Sequence, residues 1–216
     1  AMAAHATQDL PNVELMEGDV LARKQRLNPA VCDRLRALLA AGGSDTRLKS
    51  VSSLPYSAGT PFVANLFASD LPWARGVFLL QAEVAERLVA APDTPAYGSL
   101  SVRAALGGRV ELARRSPPEV FWPRPKVESA LIVIEFLPAS EHLALPWGAL
   151  RALLREAFQS RRKTLRNALK HWLAAPGRAG LLEELGIDPA CRAGTLVPGE
   201  YLALARAGEQ GAFPRE

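Results

Sequence analysis

Residues 51–61 read VSSLPYSAGTP, a segment that sets two serine hydroxyls directly before Leu54, Pro55 and Tyr56. A hydroxyl both donates and accepts hydrogen bonds, and proline stiffens the backbone. Such a segment can end a strand in an active-site loop, or it can be a turn with a half-buried tyrosine, the commoner outcome for these residue types. A second candidate is Asp19, in Glu17-Gly18-Asp19, which can accept a hydrogen bond from a ligand or cap a local turn. A third is Phe121, in FWPRPKV at 121–127, where Pro123 and Pro125 stiffen a loop that can present an aromatic or bury it. The fourth is electrostatic. Between Arg151 and Trp172 seven basic residues stand against the single acid Glu156, a local charge of +6 in a chain whose total is +4. Arg155, Arg162, Lys163, Arg166 and Lys170 are the candidates for phosphate contact, weighed against a solvated helix face.

Metal chemistry is not expected. Two cysteines, Cys32 and Cys191, stand far apart, and the three histidines form no compact cluster with acids or thiols, so reduced thiols and no metal site are the reading. No apolar run reaches membrane-spanning length, and the opening AMAAHATQDL has neither the charged start nor the long apolar core of a signal peptide. A cytoplasmic protein that begins inside a longer sequence is expected.

The elements that position these residues follow from periodicity and punctuation. Val13 to Met16 reads as a strand that would leave Asp19 near its carboxyl end, and Asn28-Pro29 as the N-cap and first position of a helix through about Ala40. Leu48 to Leu54 is a second strand, running into the serine loop. A helix is expected to start at Pro61 and continue to Phe67, followed by a buried strand over Gly76 to Gln81 and a helix over Ala82 to Val89. Strands over Arg109 to Ala113 and Val127 to Phe136 complete the first part. Strands alternating with helices indicate an α/β sheet whose ligands bind beyond the carboxyl ends of its strands. After about Pro138 the pattern is helical. An apolar stripe from Leu150 to Trp172 predicts one helix opened by Pro146, with a break near Ser160 and with Arg155, Arg162, Arg166 and Lys170 on another face. Short helices are expected over Leu181 to Leu185 and Pro198 to Ala205. The boundary divides the chain into residues 1–138, a partial Rossmann-like domain, and 139–216, a small helical domain with a basic flank.

Six segments in order carry a family resemblance: SLPYSAGTPF at 53–62, FLLQAEVAERLVAAP at 78–92, YGSLSV at 97–102, FWPRPKVESALI at 121–132, AFQSRRKTLRNALK at 157–170 and GIDPACRAGTL at 186–196. Together they resemble the bacterial ribosomal RNA adenine dimethyltransferase family, closer to its housekeeping small-subunit branch (KsgA) than to the relatives that modify large-subunit RNA and confer macrolide resistance. The resemblance implies an α/β, Rossmann-like methyltransferase sheet dependent on S-adenosylmethionine, followed by a small all-helical C-terminal domain. It also implies dimethylation of two adjacent adenines near the 3′ end of small-subunit ribosomal RNA, late in subunit assembly. The implied partners are that RNA and the immature small subunit, with no membrane and a monomeric protein.

The resemblance assigns roles residue by residue. The family's Asn-Leu-Pro-Tyr loop corresponds to Ser53, Leu54, Pro55 and Tyr56. In that loop an asparagine side chain and the proline carbonyl hold the exocyclic amine of adenine and direct its lone pair at the sulfonium methyl. Tyr56 would stack on one side of the flipped base and Phe121 on the other. Asp19 resembles the acid that accepts from the cofactor's adenine amine, Ser53 borders the cofactor, and Gln81 supports the strand core beneath the site.

Two departures bear on activity. Ser53 stands where the family has asparagine, and the family's glycine-rich cofactor loop, with the acid closing the next strand, would precede this sequence. The expectations are therefore an incomplete sheet with an exposed apolar edge, and weak or no S-adenosylmethionine binding by these 216 residues alone. The alternative function is an impaired or inactive RNA-binding assembly factor. A protein-interaction module with a solvated basic helix is a third reading, which a steep salt dependence of RNA binding would exclude.

Overall fold

A computed structural model describes residues 2–23 and 26–210. The chain divides into two compact units, residues 1–46 and 47–216.

The first unit holds helix α1 (Met2–Thr7), a small antiparallel pair β1 (Leu21–Arg23) and β2 (Arg26–Leu27), and helix α2 (Pro29–Ala41). Asn28 caps α2 as its sequence predicts: its Oδ1 accepts from the Ala30 N–H at 3.0 Å, with Pro29 in the first helical position. Val13 to Met16 is not a strand. That stretch has no ladder partner among the described residues, and Val13, Leu15 and Met16 are exposed. It is tied to α2 by a polar contact, the Glu14 carboxylate gripped by the Arg34 guanidinium at 2.7 and 2.8 Å. Apolar residues alone do not make a strand when no neighbour accepts their backbone hydrogen bonds.

The second unit is built on a four-stranded mixed sheet of β3 (Leu48–Ser53), β4 (Trp73–Gln81), β5 (Gly108–Ser116) and β6 (Ser129–Phe136), in the spatial order β3-β4-β6-β5. β3 and β4 are parallel, joined through helix α3 (Tyr56–Phe67), and β6 runs antiparallel to both β4 and β5. β3 is an edge strand in this sheet, and its Val51 is 79% exposed. The register sets Ser53 beside Leu79 and Gln81 beside Ser129. The carboxyl ends of β3 and β4 and the amino end of β6 therefore meet at one edge of the sheet.

Helix α3 begins five residues earlier than Pro61. Pro55 occupies the N-cap with extended backbone, and its carbonyl accepts from Ala58 and Gly59 at 2.9 and 3.1 Å, so the first turn closes upstream of the apolar run. A Cβ on Gly59 would lie 3.0 Å from Leu80, which is how closely this turn approaches β4. Pro61 removes one N–H inside the helix, while Phe62, Val63, Leu66 and Phe67 bury the opposite face.

α4 (Ala82–Val89) coincides with its predicted range, and α5 (Ser99–Gly107) forms from the YGSLSV segment. A 3₁₀ turn over Pro118–Val120 precedes the Phe121 loop, and the Trp122–Pro123 peptide is cis. Helix α6 (Ala139–Leu143) follows the sheet.

The helical segment predicted from Pro146 to Trp172 does break near Ser160, and it forms three helices: α7 (Trp147–Gln159), α8 (Leu165–Ala168) and α9 (Lys170–Leu173). Ser160 leaves helical geometry, and the chain turns through Lys163, whose N–H bonds to the Ser160 carbonyl at 3.0 Å. The first N–H groups of α8 then find tertiary acceptors: Leu165 bonds to the Cys191 carbonyl at 2.7 Å and Arg166 to that of Pro189 at 3.1 Å. Glu156, the only acid of the basic segment, accepts from the Trp172 N–H at 2.8 Å and satisfies the start of α9.

α10 (Leu181–Glu184) and α11 (Pro198–Gln210) complete this part. Its core gathers Leu150, Leu153, Leu154, Leu165, Trp172 and Leu204, together with Tyr97 and Val102 from the α5 region. Two buried tyrosines pin it through their hydroxyls: Tyr97 donates to the Leu196 carbonyl at 2.8 Å and Tyr201 to that of Ala193 at 2.6 Å.

Candidate functional site

Ser53, Leu54, Tyr56 and Phe121 line one cavity of about 200 Å³, together with Leu79, Trp122, Pro123, Pro125 and Ser129. The cavity lies where the carboxyl ends of β3 and β4 meet the amino end of β6. β3 delivers Ser53 and Leu54, the first residue of α3 is Tyr56, and the loop before β6 supplies Phe121 and the two prolines. One hydrogen bond ties these elements together, between the Tyr56 hydroxyl and Ser129 Oγ at 3.2 Å. Leu54 is buried, and its N–H continues the ladder to the Leu79 carbonyl at 3.3 Å. Ser53 and Tyr56 are exposed on the cavity wall, Tyr56 at 39%. A small slot that combines aromatic walls with polar groups along its lining suits a flat, polar-edged ligand.

The proline carbonyl does not serve as expected. Both acceptor sites of Pro55 are taken by the Ala58 and Gly59 N–H groups that open α3. No backbone N–H among the described residues bonds to the Leu54 carbonyl, so the free backbone acceptor of this loop precedes the proline.

Asp19 lies in the first unit and does not follow a strand. Its Oδ1 accepts from the Leu21 N–H at 2.8 Å, its own carbonyl accepts from the Asn28 side chain at 2.9 Å, and the carboxylate is exposed. One carboxylate oxygen thus organises the turn into β1. Gln81 ends β4 at the N-cap of α4, where the Ala82 N–H bonds to the Glu128 carbonyl at 2.9 Å.

The basic residues do not share one helix face, because the helix that would carry them is broken. Arg155 is on α7, Arg162 and Lys163 are in the turn that follows, Arg166 is on α8, and Lys170 opens α9; all five are exposed. They differ in availability. Arg166 is ion-paired with Glu183, whereas neither Arg162 nor Lys163 has a carboxylate partner among the described residues. The neighbouring Arg161 donates to the Pro95 carbonyl at 3.0 Å.

Three cavity residues, Leu79, Ser129 and Trp122, were not anticipated. Ser129 is buried at the head of β6, inside an apolar run that masks its role. Trp122 is 97% exposed at the cavity rim. A tryptophan bracketed by Phe121 and Pro123 in a loop was the available signal, since exposing so large an apolar surface is rarely neutral. Among the described residues no helix is long and apolar enough to cross a membrane.

Comparison with known proteins accords with this architecture. The sequence model of the family described as ribosomal RNA adenine dimethylase matches residues 2–208. The ribosomal RNA small subunit methyltransferase A of Anaeromyxobacter dehalogenans is 39% identical over 197 residues, covering 90% of this chain and 68% of that protein. The protein of the same name from Methylobacillus flagellatus is 41% identical over 165 residues, covering 76% of this chain and 63% of its own length. The chain thus spans about two thirds of the length of these relatives. Among solved structures, a dimethyladenosine transferase from Plasmodium falciparum superposes with a TM-score of 0.71 at 20% identity, over 97% of this chain and 77% of that one, which establishes the shared Rossmann-like fold. With the family match running through nearly every element described above, the chain belongs to the ribosomal RNA adenine dimethylase family.

Proposed function

We propose that this chain carries the base pocket and the RNA-binding helices of a ribosomal RNA adenine N6,N6-dimethyltransferase acting on adjacent adenines of small-subunit RNA. The observation that carries the reading is the convergence of Ser53, Leu54, Tyr56 and Phe121 on one cavity. An adenine drawn out of its stack would lie between Tyr56 and Phe121, which replace part of the lost stacking. Its amine has two N–H groups and a lone pair delocalised into the ring. With the Leu54 carbonyl accepting one N–H and the Ser53 hydroxyl the other, the lone pair points out of the ring plane toward the methyl donor. S-adenosylmethionine, when bound, would supply an electrophilic methyl group and leave as the neutral thioether; Ser53 and the Leu54 carbonyl would hold the amine for that transfer, and the amine proton would pass to water. The protein's contribution is orientation and electrostatics. Because a serine hydroxyl is shorter than the family's carboxamide, transfer is expected to be roughly a hundredfold slower than with asparagine.

Asp19 is assigned to the cofactor's adenine amine through the oxygen not used by Leu21. Trp122, at the rim, is assigned to the base next to the target. Arg155, Arg162, Lys163, Arg166 and Lys170, within residues 139–216, are assigned to RNA phosphates. The setting is the cytoplasm, with a monomer acting on the immature small subunit, and these residues alone are expected to bind S-adenosylmethionine weakly.

The test is methyl transfer from labelled S-adenosylmethionine to undermethylated small subunits, by this chain and by a form extended upstream. Adenine-specific transfer by either form supports the reading. Silence in both, with RNA binding intact, replaces it with an assembly factor that has lost its chemistry. Calorimetry giving tight cofactor binding by this chain alone would overturn the weak-binding expectation.

A further inference from the structure

A second and larger cavity, of about 450 Å³, opens beside α3, α4 and α5. Three arginines line it, Arg87, Arg103 and Arg161, together with the hydroxyl-bearing Thr60 and Ser99, and no carboxylate belongs to its wall. The arginines differ in their commitments. Arg87 is ion-paired with Glu83 one turn away on α4. Arg161 spends one N–H on the Pro95 carbonyl at 3.0 Å and has four more donors. Arg103 has neither an ion pair nor a hydrogen bond among the described residues, although it is only partly exposed.

A guanidinium withdrawn from water without a counter-charge destabilises the fold. Burial, and secondarily the nearby Arg151, push the Arg103 pKa down from its ordinary value, yet arginine stays charged at physiological pH. A cavity that gathers cations, excludes acids and leaves one guanidinium unsatisfied is built to receive an anion, and the planar guanidinium fork matches a phosphate bidentately.

Its position identifies the anion. Tyr56 lines the base cavity and Thr60, four residues on along α3, lines the arginine cavity. One helical turn, about 6 Å of rise, separates the two positions. We propose that the Arg103 cavity binds a backbone phosphate of the RNA strand close to the extruded adenine, with Arg103 and Arg161 as its principal donors. This inference rests on the RNA-modifying reading above. An anchored phosphate next to the target would hold the strand while the base leaves its stack, a contact that positions without reading sequence.

The experiment compares the full chain with Arg103→Gln, Arg103→Lys and, as a matched charge loss elsewhere, Arg114→Gln on β5. Binding of a labelled RNA hairpin carrying two adjacent loop adenines is followed across a salt series, and each protein is melted with and without inorganic phosphate. Arg103→Gln is expected to bind RNA about threefold to tenfold more weakly, with a salt slope less steep by about 0.7, the loss of one single-strand phosphate contact. Arg103→Lys should keep the slope and Arg114→Gln should keep both quantities. Because Arg103 has no partner to lose, Arg103→Gln should melt no lower than the parent, and phosphate should stabilise the parent more than this variant. An unchanged RNA slope in Arg103→Gln overturns the proposal while leaving the RNA-modifying reading intact, and a marked fall in melting temperature overturns it by making Arg103 structural. Phosphate protection through Arg103 without any RNA binding by the parent would reassign the cavity to a free anion, overturning the RNA contact and the RNA-modifying reading together.

Discussion

The Tyr56 hydroxyl lies 3.2 Å from Ser129 Oγ, a contact between residues 73 positions apart that joins the start of α3 to the start of β6. Each group fixes the other's element. Tyr56 lines the cavity at the ends of β3 and β4, and β6 follows the loop that brings Phe121 to it. Ser129→Ala removes one part-buried hydrogen bond, worth about 0.5–1.5 kcal/mol. Methyl transfer should fall about threefold to tenfold, with melting lowered by a few degrees; steady-state kinetics and calorimetry check both.

Restoring the longer side chain at the cavity mouth should act in the opposite direction. Ser53 is exposed and ends β3, so asparagine can be accommodated without disturbing the core. Ser53→Asn is expected to raise the rate of methyl transfer by about a hundredfold, through orientation of the amine, and to leave RNA affinity unchanged. Rapid-quench measurement of the methylated product separates the two effects; an unchanged rate would remove Ser53 from the orienting role.

Trp122 contributes little to the folded core, since it is 97% exposed. Trp122→Ala should therefore leave the melting temperature where it is. Base stacking on an aromatic side chain contributes about 1–3 kcal/mol, so RNA binding should weaken about tenfold, read by fluorescence titration. A fall in stability with RNA affinity intact would make the tryptophan a packing residue.

The exposed cations should not behave alike. Arg162→Gln and Lys163→Gln should each flatten the salt dependence of RNA binding by about 0.7–0.9, the loss of one phosphate contact. Arg166 is already paired with Glu183 at the surface, so Arg166→Gln should have the smaller effect on the salt slope. Equal slopes for all three would show that the ion pair opens on binding.

Stability should fall at both ends of the pH scale, for buried groups that must stay neutral. Burial, and then the Glu200 charge, push the Tyr97 phenol up to about 12 from 10.0, and burial drives Tyr201 higher still. Groups whose folded pKa is raised contribute fully below the unfolded value, so stability should hold below pH 10 and decline above it. His142 is the acid counterpart. Burial lowers its pKa below 6.5, against the opposing hydrogen bond with the Ser69 carbonyl, and its Nδ1 has no partner among the described residues. Its contribution is full above pH 6.5 and is lost as the pH falls toward the folded value. Melting temperatures across the pH range, with phenolate absorbance on the alkaline side, check both limbs; His142→Phe should flatten the decline just below pH 6.5.

Local chemistry determined much of this protein from sequence alone. Asn28-Pro29 starts α2 because cap and first-turn preferences are satisfied within a few residues, and Ala82–Val89 is helical because its amphipathic face is strongly periodic. β4 and β6 were legible as apolar runs bounded by polar residues, and the motif segments carried the family. What lay beyond reach depended on partners distant in the chain. Val13 to Met16 has strand composition but no neighbouring ladder among the described residues. The stripe from Leu150 to Trp172 breaks near Ser160 as its sequence predicts, but the further division into α8 and α9 and the capture of the Leu165 and Arg166 N–H groups by the carbonyls of Cys191 and Pro189 depend on distant parts of the chain. The Pro55 carbonyl is turned into α3, and the polar partner of Tyr56 comes from β6. Arg103, unremarked among the chain's many cations, became a candidate only when packing placed it on an acid-free wall. Sequence determined which residues could do chemistry; tertiary hydrogen bonding and burial decided which of their atoms are free to do it.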